Sequence, residues 1–297
     1  MFKSGFVAII GKPNVGKSTL LNLLIGEKIA IVSHKPQATR KSVRGILTTD
    51  EYQIIFVDTP GIHKSQKKLN EAMIKYIDEA IDDFDVALVI TDNQGTIDDI
   101  MEEYLRKIAS KNKKSVLVIN KIDLMDRKRI EEIKNSFTEI VKFDEIIETS
   151  LTSSADAKEK ILTALLSLLD EGPKYYEDDI ISTETERFII SEIIREKIMN
   201  LVAKEVPYHI AVVVDEMKYR QEKGIYYIKA TIIVERKTQK MIVIGKDGKL
   251  IKEIGKLARI DIENFLDSRV FLELWVKVKE NWTKKEKAIK EYMNPRY

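Results

Sequence analysis

The sequence predicts an α/β protein: a mainly parallel sheet with helices on both faces, followed by a smaller α+β domain. Three observations predict it. In residues 1–172, short and nearly all-apolar runs (6–10, 53–57, 86–90, 115–119, 146–149) alternate with segments of helical spacing, as expected of parallel strands buried on both sides. The first run leads directly into Gly11-Lys-Pro-Asn-Val-Gly-Lys-Ser18, a glycine-bearing loop between strand and helix. Beyond residue 187 the order changes to helix, strand, strand, helix, helix, strand, and residues 173–186, carrying proline and charges, read as a linker.

Taken in order, strand 6–10 ends in the pattern G-x-x-x-x-G-K-[ST], and helix 19–25 follows. Gly11 and Gly16 let backbone N–H groups converge on a polyphosphate, and the helix N-terminus adds its positive dipole end. Lys12, Pro13, Asn14, Val15 and Thr19 complete the cradle. Lys17 is placed to reach the β- and γ-phosphates, and the Ser18 hydroxyl to ligate Mg²⁺. Residues 28–32 are apolar and β-prone, whereas 33–41 lack periodicity and read as an exposed, mobile loop. Strand 53–57 ends at Asp58-Thr59-Pro60-Gly61. An acid at the carboxyl end of such a strand faces the nucleotide, so Asp58 can hold Mg²⁺ through water, and Gly61 lets its N–H approach a γ-phosphate.

Leu69, Ala72, Met73, Tyr76, Ile77, Ala80 and Ile81 share one helical face. Strand 86–90, helix 98–110, strand 115–119, helix 127–141, strand 146–149 and helix 156–170 follow. Strand 115–119 ends in Asn120-Lys121-Ile122-Asp123. A carboxylate at 123 accepts from both the ring N–H and the exocyclic amine of guanine, an arrangement adenine lacks, and an unpaired carboxylate facing the wrong base is costly. Lys121 lies along the base plane, and Asn120 ties this loop to the phosphate loop. The three motifs together specify GTP, with GDP as product, rather than ATP.

In the second half, Thr183 and Glu186 read as a capping box opening a helix whose core residues are Ile190, Ile193, Ile194, Ile198 and Leu201, with Pro207 ending it. Strands near 209–214 and 225–235 flank a charged turn holding Gly224. Gly245-Lys246-Asp247-Gly248 then sits after Ile244 and before helix 249–266, which begins with Lys249 and carries Lys252. A G-x-x-G loop between two helices is the phosphate grip of a KH fold for single-stranded RNA; a plain helix–helix turn is the alternative. Strand 270–278 alternates, with Phe271, Glu273, Trp275 and Lys277 on one face. Trp275 is expected to pack under the C-terminal segment, stacking on a base being the alternative. Residues 283–292 read as a basic terminal helix.

Composition excludes several classes. Among 297 residues there is no cysteine, so disulfides, thiol catalysis and cysteine-ligated metals are absent, and three scattered histidines make no metal cluster. No run approaches a membrane span, and the N-terminus lacks a signal-peptide pattern. The net charge of +2 is uneven: residues 236–297 hold sixteen Lys/Arg against nine Asp/Glu. That surplus suits a polyanion partner or a solvated lysine-rich surface.

These motifs resemble, over nearly the whole chain, the Era family of the translation-factor-related GTPases. The resemblance implies a P-loop GTPase domain (1–172), a linker (173–186) and a type II KH domain (187–297). It implies that Thr39, next to Arg40, binds Mg²⁺ and closes over the γ-phosphate, and that Ser150 belongs to a guanine-contacting loop. Leu151 stands there in place of the usual alanine, and a later glycine is missing. Ile62 occupies the position where a glutamine would orient the attacking water. Asn14 resembles the K⁺-coordinating residue of related GTPases, a loop-stabilising role being the alternative, so the catalytic burden is assigned to Lys17, Thr39, Gly61 and Asn14. His63 reads as an exposed loop residue rather than a general base. The family further implies binding to the 3′ end of 16S rRNA, a role in maturation of the small (30S) ribosomal subunit, coupling of nucleotide state to RNA binding, a cytoplasmic monomer, and peripheral attachment to the inner membrane face. The rival reading is an RNA-binding scaffold whose nucleotide site is occupied but nearly inactive.

Overall fold

Residues 3–10 are β-branched or small at almost every position and buried on both sides, and they form the strand on which the first sheet is centred. The computed structural model describes residues 1–33, 35, 38–61, 68–202 and 206–293. They fall into two compact units, one of residues 1–30, 39–66 and 71–183, the other of 31–38, 67–70 and 184–297.

The first unit holds β1 (Lys3–Ile10), β2 (Val43–Thr48), β3 (Tyr52–Asp58), β4 (Val86–Thr91), β5 (Lys114–Ile119) and β6 (Glu145–Glu148), in the spatial order β2-β3-β1-β4-β5-β6. All pairings are parallel except β2 with β3. Ala8 and Ile10 point into one core cluster with Ile77, Ile81, Leu105 and Phe137, which come from α2 (Lys68–Asp82), α3 (Asp99–Ser110) and α4 (Arg127–Thr138). Val7 and Ile9, equally buried, point the other way by strand alternation. That side is covered by α1 (Lys17–Ile25) and α5 (Ala157–Leu168). Parallel register has a functional consequence: Ile9 pairs with Asp58, Thr91 with Ile119, and Ile119 with Glu148. The motif residues that follow these strands therefore emerge along one sheet edge, on both sides of the point where chain order reverses between β1 and β4.

Three details depart from the sequence reading. Residues 28–32 form no strand; the Asn22 side chain instead accepts from the Ile29 and Ala30 N–H groups (3.1 and 3.0 Å) and donates to the Ala30 carbonyl. Their backbone groups are satisfied without a sheet partner. The antiparallel edge strand is β2, which a glycine in mid-pattern concealed; a Cβ on Gly45 would fall 2.7–2.9 Å from Ile29, Leu21 and Ile25. Helix α4 ends at Thr138, three residues early. Residues 171–183 pack with the first unit, through bridges Lys3–Glu171 and Gly45–Ser182 and through Gln53, whose side chain bonds the backbone of Tyr175 and Tyr176.

The second unit contains α6 (Glu186–Leu201), β7 (Ala211–Arg220), β8 (Ile225–Val234), α7 (Lys237–Ile244), α8 (Lys249–Leu266), β9 (Arg269–Val278) and α9 (Glu286–Met293). Strands order β7-β8-β9, β7–β8 antiparallel and β8–β9 parallel, so α7 and α8 form the crossover that a parallel pair requires. Ile190 and Ile194, Ile228 and Ile232, and Ile254 and Ile262 fill the core. The capping box at Thr183 and Glu186 is not formed. Thr185 is the N-cap, accepting from the Phe188 N–H at 3.2 Å, with Glu186 as the first helical residue. Pro207 does not end α6 either: the helix stops at Leu201, and Pro207 lies in a separate 3-10 turn. The strand expected at 209–214 runs on to Arg220, past a bulge at Val214/Glu216. Trp275 is 56% exposed rather than packed under the C-terminal segment; Trp282, 1% exposed, takes that place and donates to the His209 carbonyl at 3.1 Å.

The segment 31–38 groups with this unit, although its polarity suggests an exposed loop. Among its described residues, the Val32 N–H donates to Glu196 (3.0 Å), Ser33 to Asn200 (2.8 Å), Lys35 to the Met199 and Val202 carbonyls, and Arg195 to the Ala38 carbonyl. Among the described residues, no helix is long and apolar enough to cross a membrane.

Candidate functional site

The turn after β1 needs glycine where the chain passes closest to its neighbours. A Cβ on Gly11 would lie 2.3 Å from the Ile90 carbonyl oxygen, and Gly16, which precedes α1, holds φ +112°. Asn14 also takes a positive φ of 65°, a conformation asparagine tolerates better than most residues. No side chain caps α1, so its first N–H groups face the loop, free for an anion. Lys17 is 6% exposed and folds back on the loop, donating to the Gly11 (3.1 Å) and Lys12 (2.8 Å) carbonyls. Burial pulls its pKa down to about 8, with Asp58 pulling the other way. Lys12 turns away to pair with Asp98, the N-cap of α3. Gly61 lies against Pro13, where a Cβ would meet the Pro13 Cα at 2.7 Å.

Three oxygens meet beside Lys17. Ser18 Oγ donates to Asp58 Oδ2 at 2.7 Å, Thr39 Oγ1 donates to the same atom at 3.3 Å, and the two hydroxyls are 2.8 Å apart. Asp58 is fully buried, and burial drives its pKa up to about 6 against the opposing effects of Lys17, Ser18 and Thr39. Its Oδ1 has no hydrogen-bond partner among the described residues. Oxygen-only donors, a carboxylate held in burial and an orphaned lone pair suit a hard divalent cation such as Mg²⁺. Thr59 holds the strand end in place, donating to the Ile9 carbonyl at 2.8 Å, and Pro60 is buried. Ile62 and His63 lie outside the described residues.

The third motif is built around Asn120, 4% exposed. Its amide donates to the Val15 carbonyl at 2.8 Å and accepts from the Leu151 N–H at 3.0 Å, so one side chain joins three loops. Lys121, at φ 62°, donates to the Asn14 carbonyl (2.9 Å) and to Asp92 (2.7 Å). Asp123 stands exposed in the 3-10 turn Ile122–Leu124. Ser150 is buried; its carbonyl accepts from Ser153 and Ser154, and its N–H donates to Ser154 Oγ. The loop closes without the usual glycine, and Leu151 turns its side chain inward, 7% exposed. Sequence reasoning passed over Asp92 and Ser154, and it named Leu151 only as a departure from the usual alanine. Asp92 had a signal, being the first acid after strand 86–90; a backbone N–H such as that of Leu151 has none.

On the second unit, Gly245 (φ 74°), Asp247 (φ 54°) and Gly248 (φ 72°) make a tight loop between α7 and α8. Gly245 packs on Leu250, 2.6 Å from where its Cβ would be. Beside the loop runs a groove of about 420 Å³, with Lys252, Gly255, Lys256 and Arg259 on α8 and Phe271 and Leu274 on β9. Lys252, Lys256 and Arg259 fall at helical spacing, a basic stripe that the sequence reading followed only as far as Lys252. An apolar floor with a basic wall and a glycine loop at its head suits bases and phosphates of one strand.

Comparison with known proteins agrees with both halves. The family described as 50S ribosome-binding GTPase matches residues 6–121, and the KH domain family matches residues 205–283. GTPase Era of Clostridium kluyveri is 46% identical over 291 residues, covering 98% of this chain and 99% of the relative. That of Clostridium novyi is 44% identical, covering 98% of each. Among solved structures, Era in complex with MgGDPNP and nucleotides 1506–1542 of 16S ribosomal RNA superposes with a TM-score of 0.92 at 37% identity, over 98% of this chain and 99% of that one. A variant of Aquifex aeolicus Era bound to GDP·AlF4⁻ gives the same TM-score at 38% identity and the same coverage.

Proposed function

The chain belongs to the Era family of GTPases, and on that footing we propose that it is a switch whose GTP state governs its grip on the 3′-end region of 16S rRNA during small-subunit maturation. The observation that carries the reading is the pair of glycine loops on one chain, each built for phosphates, one with a guanine pocket and one with a strand-sized groove. Gly11–Ser18 and Thr19 cradle the phosphates. Ser18, Thr39 and Asp58 hold Mg²⁺, which supplies charge neutralisation at the β- and γ-phosphates. Lys17 turns from the Gly11 and Lys12 carbonyls to the phosphates, and the Gly61 N–H approaches the γ-phosphate. Asp123 reads guanine, Lys121 flanks it, and Asn120, with Asp92 behind Lys121, holds the pocket in shape. With isoleucine at 62, the loop itself would supply positive charge for the transition state, and Asn14 would hold a K⁺ ion that would add to it.

Coupling has a covalent route. Thr39 joins the Mg²⁺ ligands, and the residue before it, Ala38, is hydrogen-bonded to Arg195 of α6. A ligand that draws Thr39 in acts on a segment in which Val32, Ser33, Lys35 and Ala38 are hydrogen-bonded to α6. Binding of a single strand by Ile244–Lys249 and Lys252 then responds to the nucleotide. The protein is further proposed to work as a monomer in the cytoplasm, with peripheral attachment to the inner membrane face. The test is RNA affinity with GDP and with a non-hydrolysable GTP analogue, at several salt concentrations. A nucleotide-dependent affinity that falls steeply with salt is expected; equal affinities in the two states would remove the switch. Single-turnover hydrolysis, with Lys17→Ala as control, separates this reading from a scaffold that barely turns over.

A further inference from the structure

We propose that the outer face of the β7-β8-β9 sheet is a second stacking surface for single-stranded RNA, continuous with the groove beside the Gly245–Gly248 loop. The proposal rests on the RNA-binding reading above and extends the path of the strand. Alternation sends Ile228, Ala230 and Ile232 into the core, so their neighbours Tyr227, Lys229 and Thr231 face outward. Parallel register sets Tyr227 beside Phe271, Lys229 beside Glu273 and Thr231 beside Trp275. The Tyr227 and Phe271 rings stack, 5.8 Å apart and only 10° from parallel. Arg220, from the strand on the other side of β8, lies 4.5 Å from the Tyr227 centroid, and Lys229 lies 5.6 Å from that of Trp275. Glu273 accepts from both the Tyr227 hydroxyl and the Trp275 indole N–H, each at 2.6 Å, which fixes the rings and occupies the acid. What remains for a partner is the flat surface of Phe271, 55% exposed, and Trp275, 56% exposed, with cations beside them.

The occupant follows from continuity. Phe271 also lines the groove with Lys252, Lys256 and Arg259, and β9 is an edge strand. A strand leaving the groove past Phe271 crosses that edge and meets Trp275, four residues along the same face. Fixed ring planes flanked by Arg and Lys are what bases with phosphates between them require. Insertion into a lipid surface would call for rings whose polar tips are free to reach the head groups, and here both tips are tied to a carboxylate.

The test uses the full-length protein and two unstructured RNAs, one of about six nucleotides, enough for the four that a KH loop clamps, and one of about fourteen. The longer strand is expected to bind roughly five- to a hundredfold more tightly than the shorter. Trp275→Ala removes most of that gain and leaves the short strand unchanged, Trp275→Phe retains it, and Lys246→Ala weakens both lengths. Because Trp282 is buried, fluorescence quenching by the long strand alone reports stacking on Trp275. No gain from length, a gain that survives Trp275→Ala, or Trp275-dependent binding to phosphatidylglycerol vesicles in place of RNA would each overturn the proposal. If the wild-type chain binds neither strand, the RNA reading itself fails and this surface falls with it.

Discussion

Replacing Asp58 by asparagine should stabilise the nucleotide-free protein. Burial raises the Asp58 pKa from 3.8 to about 6, so the folded chain binds a proton that the unfolded chain has already released between those values. Stability therefore falls as pH rises through that window, and the full penalty is present above about pH 6. A shift of roughly two units corresponds to about 3 kcal/mol. That shift is already net of the opposing Lys17 charge and the Ser18 and Thr39 hydrogen bonds, so the gap between variant and wild type should open by up to about 3 kcal/mol across the window. The geometry tolerates the change: an asparagine oxygen at the Oδ2 position still accepts from Ser18 and Thr39, and the amide replaces an Oδ1 that already lacks a partner among the described residues. The assay is thermal unfolding of EDTA-stripped protein from pH 4 to pH 8, where about 1 kcal/mol moves a transition of this size by roughly 2–4 °C. The variant should match wild type near pH 4 and exceed it above pH 6. With Mg²⁺ and a GTP analogue the order should reverse, since only wild type gains the binding energy. A variant less stable than wild type at pH 7.5 without nucleotide, or a gap that does not open with pH, would refute the account of Asp58 as a charge held ready for the metal.

Two further outcomes follow from the same site. GTP turnover in KCl should exceed that in NaCl at equal ionic strength, and equal rates would dismiss the ion assigned to Asn14. Asn120→Ala strips partners from the buried Val15 carbonyl and Leu151 N–H, each worth about 1–3 kcal/mol. Equilibrium titration with labelled GDP should therefore show affinity lower by roughly ten- to a hundredfold, and an unchanged affinity would mean the three loops hold without it.

Both glycine loops, the guanine motif and the strand–helix alternation were legible because each is a local pattern. A buried parallel strand must be apolar throughout, and a loop that admits phosphate must lack Cβ atoms, whatever lies around it. Boundaries fared worse, since Thr183 and Thr185 are equally plausible caps until the chain direction into α6 is known. β2 was missed because Gly45 breaks its pattern, and only Leu21, Ile25 and Ile29 closing over that position explain the glycine. The polarity of residues 33–41 indicated solvent, yet Ser33 and Lys35 find partners some 160 positions away on α6.

The sequence by itself determined which ligands the chain is chemically suited to hold: a guanine nucleotide and a single polyanionic strand. The tertiary structure decided which residues share each site. Ser18 and Asp58 converge because the parallel strands β1 and β3 end at one edge, and Thr39 joins them because the antiparallel β2 begins there. Asn120 reaches Val15 and Leu151 because that edge gathers their loops. Trp282 takes the packed place expected of Trp275 because it is the one that meets the His209 carbonyl within the core. Periodicity reports that a side chain has two faces to choose between; which face is covered depends on segments far away in the chain, and that information exists only in the folded molecule.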